Sequence, residues 1–161
     1  MRNNMRSNNY VPPEKEFNET VVQINRVSKK TKGGNQMRFA ALVVIGDRKG
    51  RVGAGLEKAK DVRGAIQKAV ASAKRKMIEV PLRGTTLPYE IRHKFGAAKI
   101  IIKPAPEGTG IIAGGAIRVV LDNAGVRNAS AKIMGTKNKI TNVYATIQAL
   151  QKLAEIKERK A

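Results

Sequence analysis

The chain has 161 residues and a formal net charge of +20 at pH 7, with 32 lysines and arginines against 12 aspartates and glutamates. Hydrophobic residues make up 42%, enough to bury a core, so the composition excludes a disordered basic peptide. The chain has no cysteine, which excludes disulfides and thiolate chemistry, and no apolar run as long as a membrane helix. Because the positive charge is spread along the whole chain, we expect an extended polyanion, of which nucleic acid is the natural example, as its partner.

A flexible tail is predicted for residues 1–16, because they are rich in Asn, Arg and Pro and lack the apolar segment of a secretory signal. A three-stranded antiparallel sheet and one helix are predicted to follow. The strands are expected at residues 20–27, 39–45 and 51–56, and the helix at 59–78. Apolar residues recur at three- and four-residue steps along this helix, so one face should pack on the sheet. Residues 17–80 are therefore predicted to form a β-β-β-α domain.

A second domain is predicted over residues 81–161, with the boundary near 80–85, where Pro81 ends the preceding helix. Its strands are expected at residues 87–95, 98–103 and 128–134, and its helices at 117–123 and from 141 onward. Gly125 is expected to end the first of these helices in a left-handed conformation, and Thr141 to cap the second. The predicted fold class is α+β.

Enzyme active sites find little support in the sequence. The one histidine, His93, lies between Arg92 and Lys94 and has no evident carboxylate or nucleophile as a partner. The few acidic residues are scattered rather than paired or clustered. No catalytic residue, metal site or cofactor is therefore predicted.

A glycine-rich segment at residues 108–115 precedes a predicted helix, as phosphate-binding loops do. Its spacing matches neither G-x-G-x-x-G nor G-x-x-x-x-G-K-[ST]. Two interpretations stay open: a tight strand-to-helix connection that needs small residues, or a site for RNA backbone phosphates at the helix start. The second interpretation predicts RNA contacts from Thr109, Gly110, Gly114, Gly115 and Arg118.

The clearest candidate for nucleic-acid binding is the basic loop predicted at residues 28–35, where two glycines would let the backbone approach a groove. The alternative is a solvated hairpin loop. The RNA-binding residues predicted in and around this loop are Arg26, Ser28, Lys29, Lys30, Lys32, Gly33, Gly34 and Arg38. Further candidates are Arg48, Lys49 and Arg51 in the next turn, and Lys58 and Lys60 at the predicted helix start. Aromatic residues are only 4% of the chain, which disfavours stacking on single strands and favours recognition of double-helical RNA.

Several stretches of the chain match one known family. They lie at residues 25–29, 32–34, 41–47 and 58–60, and include the long run KPAPEGTGIIAGG at 103–115 and VLDNAGV at 120–126. On these stretches the chain resembles the bacterial small-subunit ribosomal protein number five (the S-five family), over about residues 17–156.

The resemblance implies a first domain related to the double-stranded-RNA-binding fold without its first helix, and a β-α-β-α second domain with a left-handed crossover. It implies a structural role in the cytoplasmic ribosome: binding of small-subunit (16S) rRNA, subunit assembly, and a position where messenger RNA enters the subunit, with an influence on translational accuracy. The implied neighbours are the fourth and eighth proteins of the small subunit. Ser28, Lys29, Lys32, Gly33 and Gly34 match the loop through which the family contacts RNA.

Two other classes of function stay open from the residues alone. One is a small phosphate-handling enzyme that uses residues 108–115, although a phosphate-binding lysine and a general base are missing. The other is a free-standing regulator that binds double-stranded RNA through residues 17–80.

Overall fold

The structure is a computed structural model that describes residues 16–160. The tail predicted at residues 1–16 therefore lies outside the described residues except for Glu16, which is exposed. None of the helices within the described range combines the length and the apolar character that a membrane span requires.

The first sheet contains four antiparallel strands in the order β1-β2-β3-β4. The strands are β1 (Asn18–Thr31), β2 (Gly34–Gly46), β3 (Arg51–Ala59) and β4 (Ile78–Glu79), and helix α1 (Val62–Arg75) lies between β3 and β4 in the chain. The predicted arrangement of three strands followed by a helix is confirmed. The two-residue β4 was not predicted, since it carries too few residues to show any periodicity.

The first hairpin differs from its prediction. Residues 28–35, predicted as a loop, mostly continue β1 and β2, and only Lys32 and Gly33 remain as the turn. The helix also begins later than predicted, at Val62, because Asp61 caps it by accepting a hydrogen bond from the Gly64 N–H.

Both faces of β2 are covered from Ala40 onward. Alternate residues of β2 pack on α1, where Ala41, Val43 and Ile45 meet alanines of the helix. The residues between them, such as Leu42 and Val44, join a larger core that includes both helices of the second half of the chain. A continuous apolar run is therefore required in β2, because each of its faces is buried.

The second sheet contains four strands in the order β5-β6-β8-β7. The strands are β5 (Ile91–Phe95), β6 (Ala98–Pro104), β7 (Ile111–Ile112) and β8 (Ala129–Ile133), accompanied by helices α2 (Gly115–Ala124) and α3 (Lys139–Lys160). β7 and β8 are parallel, and the other neighbouring pairs are antiparallel. This mixed sheet with helices confirms the α+β fold class.

The ends of the two later helices were predicted with different success. Gly125 ends α2 in the left-handed region, with φ 88°, as predicted. The prediction that Thr141 caps α3 is wrong. Asn138 has this role, since its Oδ1 accepts from the Ile140 N–H, whereas the Thr141 hydroxyl donates to the carbonyl of Asn138 within the first turn.

Backbone hydrogen bonds join the two halves of the chain at the turn between β2 and β3. The Arg48 N–H donates to the carbonyl of Asn123 (3.1 Å), and the Gly50 N–H donates to that of Ala124 (3.0 Å). A Cβ on Gly46 would lie only 2.0 Å from the Asn123 carbonyl oxygen, so only glycine allows this approach. We call this turn and the end of α2 the joint. The domain boundary near 80–85 stays a prediction.

Candidate nucleic-acid interface

The hairpin of β1 and β2 extends beyond the rest of its sheet. β3 ends at Ala59, opposite Phe39, while β1 and β2 stay paired as far as Thr31 and Gly34. The five unaccompanied residues of β2 span roughly 17 Å. Every residue from 28 to 38 is exposed. We call residues 28–38 the ribbon.

The tip of the ribbon is a tight turn. Gly34 adopts φ 130°, a conformation open mainly to glycine, and the Thr31 hydroxyl donates to the Gly34 carbonyl (2.8 Å). A Cβ added at Gly33 or Gly34 would meet no atom within 4 Å, so space is open around both residues. The predicted role of these glycines, close approach of the backbone to a groove, is compatible with this open tip.

The strand register divides the basic residues in and beside the ribbon between two faces. The pairs Val27–Arg38, Lys29–Gln36 and Ala40–Lys58 share one face, because directly paired residues point to the same side. Arg26 and Lys30 lie on the opposite face, paired with Phe39 and Asn35. A groove of about 240 Å³ runs along the first face and is lined by Val27, Ser28, Lys29, Gln36, Arg38 and Lys58.

The cations in and beside the ribbon are not neutralised within the described part of the chain. The ion pairs recorded there are Arg48–Asp122, Arg51–Asp47, Arg92–Glu90 and Lys103–Glu90, all away from the ribbon. Lys29, Arg38 and Lys58 therefore present their full charge on the groove side. A row of unpaired cations on an extended backbone suits contact with successive phosphates.

The second basic turn lies at the opposite end of the same strands, within the joint. The Arg48 guanidinium lies 3.5 Å from Asp122, and the Arg51 Nε lies 2.7 Å from Asp47. Two of the three cations predicted here to bind RNA therefore have carboxylate partners. Lys49 makes no ion pair with a described residue, and its N–H donates to Asp47 (2.7 Å).

Asp47 organises this turn. Its carboxylate is only 8% exposed and accepts hydrogen bonds from the N–H groups of Lys49 and Arg51 and from the Arg51 guanidinium. Burial alone would raise the pKa of Asp47, but these hydrogen bonds outweigh it and hold the pKa below the usual 3.8. The same pairing raises the pKa of Arg51.

The start of α1 differs from the site predicted there. Lys58 belongs to β3 and lines the ribbon groove, while Lys60 is exposed in the bend before the helix. The Asp61 carboxylate already occupies the first turn of α1. Because this negative charge would repel a phosphate, Lys58 is better placed for RNA on the ribbon than at the helix start.

The glycine-rich segment does not form one site. Thr109 is exposed in the turn before β7, and the Gly110 N–H donates to Asn128 Oδ1 (3.0 Å). Gly114 and Gly115 open α2, several residues further on. Arg118 points elsewhere again, into a groove of about 450 Å³ lined by Ile111, Arg118, Val119, Asp122, Val126 and Arg127.

Sequence reasoning missed several cationic positions. Arg127 shares a groove with Arg118, and Lys137 and Lys139 lie beside the start of α2. The segment 135–139, GTKNK, is basic and contains a glycine. Residues 28–35 were chosen because they combine basic residues with glycine, and the same combination would have indicated residues 135–139.

The described residues form no metal-binding cluster, and the one histidine lies beside an amide. No group of three or more His, Cys, Asp or Glu side chains in the described part of the chain is placed to hold a metal ion. The His93 imidazole Nε2 lies 3.1 Å from Gln148 Oε1, so its neighbour is an amide rather than a carboxylate.

Comparison with known protein families gives two matches, which leave only a short stretch between them. Residues 17–81 match the family model of ribosomal protein S5, N-terminal domain, and residues 93–161 match that of ribosomal protein S5, C-terminal domain. Together they cover most of the chain and agree with the order of the two sheets. The resemblance noted in the sequence is confirmed: the chain belongs to the ribosomal protein S5 family of RNA-binding, structural proteins of the small ribosomal subunit.

Proposed function

We propose that this protein binds 16S rRNA mainly through the groove face of the ribbon. The observation that carries the proposal is the row formed by Lys29, Arg38 and Lys58 on one face, exposed and without carboxylate partners in the described part of the chain. Each lysine or arginine that neutralises a phosphate releases counterions, which supplies binding free energy that depends on salt.

The rest of the first sheet supports this role by holding the ribbon in place. Beyond the ribbon, β2 is buried on both faces, and its far end is fixed by the joint. A two-stranded ribbon alone would be marginally stable in water. Anchored in this way, it meets RNA in a fixed conformation and loses little conformational entropy on binding.

Other predicted residues have smaller roles in the proposal. Arg26 and Lys30 would contact RNA from the second face of the ribbon, and the remaining positions would add contacts where the folded RNA reaches them. The complete proposed set is Arg26, Ser28, Lys29, Lys30, Lys32, Gly33, Gly34, Arg38, Arg48, Lys49, Arg51, Lys58, Lys60, Thr109, Gly110, Gly114, Gly115 and Arg118.

The proposed setting follows from the family. The protein would take part in assembly of the small subunit in the cytoplasm, beside the fourth and eighth small-subunit proteins. It would lie where messenger RNA enters the subunit and influence translational accuracy. The family matches support the ribosomal setting, and these finer roles are our proposal.

The first test is sedimentation of a tagged copy through sucrose gradients at low and moderately high salt. Co-migration with the small subunit at both salt concentrations is expected for a stoichiometric component. A protein that stays at the top of the gradient would contradict the proposal.

The second test assigns the contact to the ribbon. A triple variant, Lys29→Ala, Arg38→Ala and Lys58→Ala, should bind protein-free 16S rRNA more weakly and with a shallower dependence on salt. The matched control is Lys68→Ala, Arg75→Ala and Lys152→Ala, which removes the same charge from exposed helix positions. Equal losses in the two triple variants would mean that only the total charge matters.

A further inference from the structure

A second cationic pocket lies where the starts of α2 and α3 meet. It has a volume of about 340 Å³ and is lined by Gly115, Ala116, Ile133, Met134, Gly135, Lys137, Lys139 and Asn142. No carboxylate is among these lining residues. The positive ends of two helix dipoles and two lysines therefore act on one cavity.

The start of α2 is open toward this pocket. No side chain caps the helix at Gly114, and the first helical hydrogen bond runs from the Arg118 N–H to the Gly114 carbonyl. The N–H groups of Gly115 and Ala116 thus belong to the unpaired first turn. Space is open at Gly115, where a Cβ would meet nothing within 4 Å. An anion can approach the Gly115 amide directly.

Asn142 adds a buried hydrogen-bond acceptor without a partner to the lining of the pocket. The residue is 1% exposed, and its side-chain Nδ2 donates to the Thr136 carbonyl (2.9 Å). Its Oδ1 is buried and has no hydrogen-bond partner among the described residues. An exchange of the amide oxygen and nitrogen would place two oxygens against each other, so the orientation is fixed. A buried acceptor left in this way calls for a donor.

We propose that this pocket binds one ribonucleotide of the RNA. A backbone phosphate accepts from the N–H groups of Gly115 and Ala116 and pairs with Lys137 and Lys139, and the ribose 2′-hydroxyl donates to Asn142 Oδ1. Phosphate alone satisfies the amides and lysines but offers no donor, whereas the 2′-hydroxyl supplies one that DNA lacks. The inference rests on the proposed function and deepens it, since it names a second contact and the sugar chemistry read there.

The apolar wall of the pocket fits the same ligand. Ile133 is partly buried, and Met134 is 58% exposed at the rim. A ribose or base edge that covers Met134 would remove this side chain from water, which adds to the polar contacts.

The test uses the full chain bound to protein-free 16S rRNA, read by acylation of 2′-hydroxyl groups and by filter binding over a range of salt. Gly115→Pro removes one amide donor at the first helical position, where proline is tolerated. Lys137→Ala with Lys139→Ala removes the two charges. Each variant should lose protection of the same short stretch of nucleotides, and the lysine variant should lower the salt slope by about one to two units. The control Lys68→Ala with Lys152→Ala should keep that protection.

The sugar contact is tested from the RNA side. A single 2′-deoxy substitution within the protected stretch should weaken RNA binding of the wild-type protein several-fold. The same substitution should not weaken RNA binding of Asn142→Leu any further, because that variant already lacks the acceptor. If Asn142→Leu shows no cooperative thermal unfolding, the comparison is made with Gly115→Pro. In that variant the nucleotide is displaced from the pocket, so binding should also become insensitive to the 2′-deoxy substitution.

The outcomes separate the two proposals. A wild-type protein that protects no nucleotide would overturn the proposed function. A wild-type footprint that is unchanged in both Gly115→Pro and the lysine variant would overturn this inference alone. Binding that is insensitive to every 2′-deoxy substitution would overturn the ribonucleotide assignment and leave a phosphate contact.

Discussion

The turns at the two ends of β2 carry similar residues and face different surroundings. At one end the ribbon places Lys32, Gly33 and Gly34 in open solvent. At the other end, Arg48 and Gly50 donate backbone hydrogen bonds to the end of α2. One end is free to meet RNA, and the other holds the protein together.

This difference shows what a basic, glycine-containing turn can mean. Composition alone gives both turns the same interpretation, because lysine, arginine and glycine suit phosphate contact in each. The tertiary partner decides between them. Gly125 supports this conclusion from the other side of the joint, since a Cβ there would lie 2.1 Å from the Arg48 carbonyl oxygen.

The largest expected effect is on stability, from glycine substitutions at the two ends. Gly46→Ala should lower the free energy of unfolding by about 3 kcal/mol, because its Cβ would collide with the backbone of Asn123 and Arg51. Gly33→Ala should change it by less than about 0.5 kcal/mol, since nothing lies within 4 Å. Urea unfolding of both variants measures the difference. Similar losses in both would contradict the distinction between joint and ribbon.

The next effect is on RNA affinity, from equal removal of charge at each end. Lys29→Ala with Lys32→Ala should weaken binding to 16S rRNA roughly tenfold, about 1.4 kcal/mol, and make the salt slope shallower. Arg48→Ala with Lys49→Ala should cost less, because Arg48 already pairs with Asp122. Filter binding over a range of salt gives both quantities. An unchanged salt slope in the ribbon variant would mean that residues 28–35 are a solvated hairpin that does not contact phosphates.

Much of the fold was predictable from the sequence where burial leaves a pattern. The apolar run at residues 39–45 indicated a strand buried on both sides, and Gly125 marked the end of α2. Residues 28–35 of the ribbon were predicted as a loop, because strands exposed on both faces show no apolar alternation. Its strands exist because their backbones pair with each other, which side-chain periodicity does not report.

The candidate site was predictable in its residue types and not in its grouping. Charge indicated Lys29, Arg38 and Lys58, but their common face depends on the register of three strands. The pocket between α2 and α3 depends on Asn142, a buried side chain far along the chain from Gly115. Sequence reasoning followed local runs, so it could not bring these two residues together.

A smaller effect concerns the side-chain hydrogen bonds of the joint. Thr20→Val should lower the free energy of unfolding by about 1 kcal/mol, because the buried Asn123 side chain would lose its contact with the Thr20 hydroxyl (3.1 Å). Thr31→Val makes the same change in the exposed ribbon and should cost less than about 0.5 kcal/mol. Chemical unfolding of the pair compares both ends of one strand. Equal costs would mean that burial at Asn123 does not strengthen the hydrogen bond.

The smallest expected effect is a pH dependence at the joint. The pKa of Asp47 is lowered in the folded protein, so its carboxylate contributes stability that is present above its ordinary value of 3.8 and is lost as the pH falls through the lowered value. Asp47→Asn should therefore be less stable than the wild type near neutral pH, and the difference should shrink in acid. Thermal melts from about pH 7 to about pH 3 measure it. Asp122→Asn, which removes an exposed carboxylate from the same joint, is the control. If the gap between Asp47→Asn and the wild type stays constant with pH, the hydrogen bonds to Asp47 act as neutral contacts, and the charge of its carboxylate does not contribute to the stability of this end.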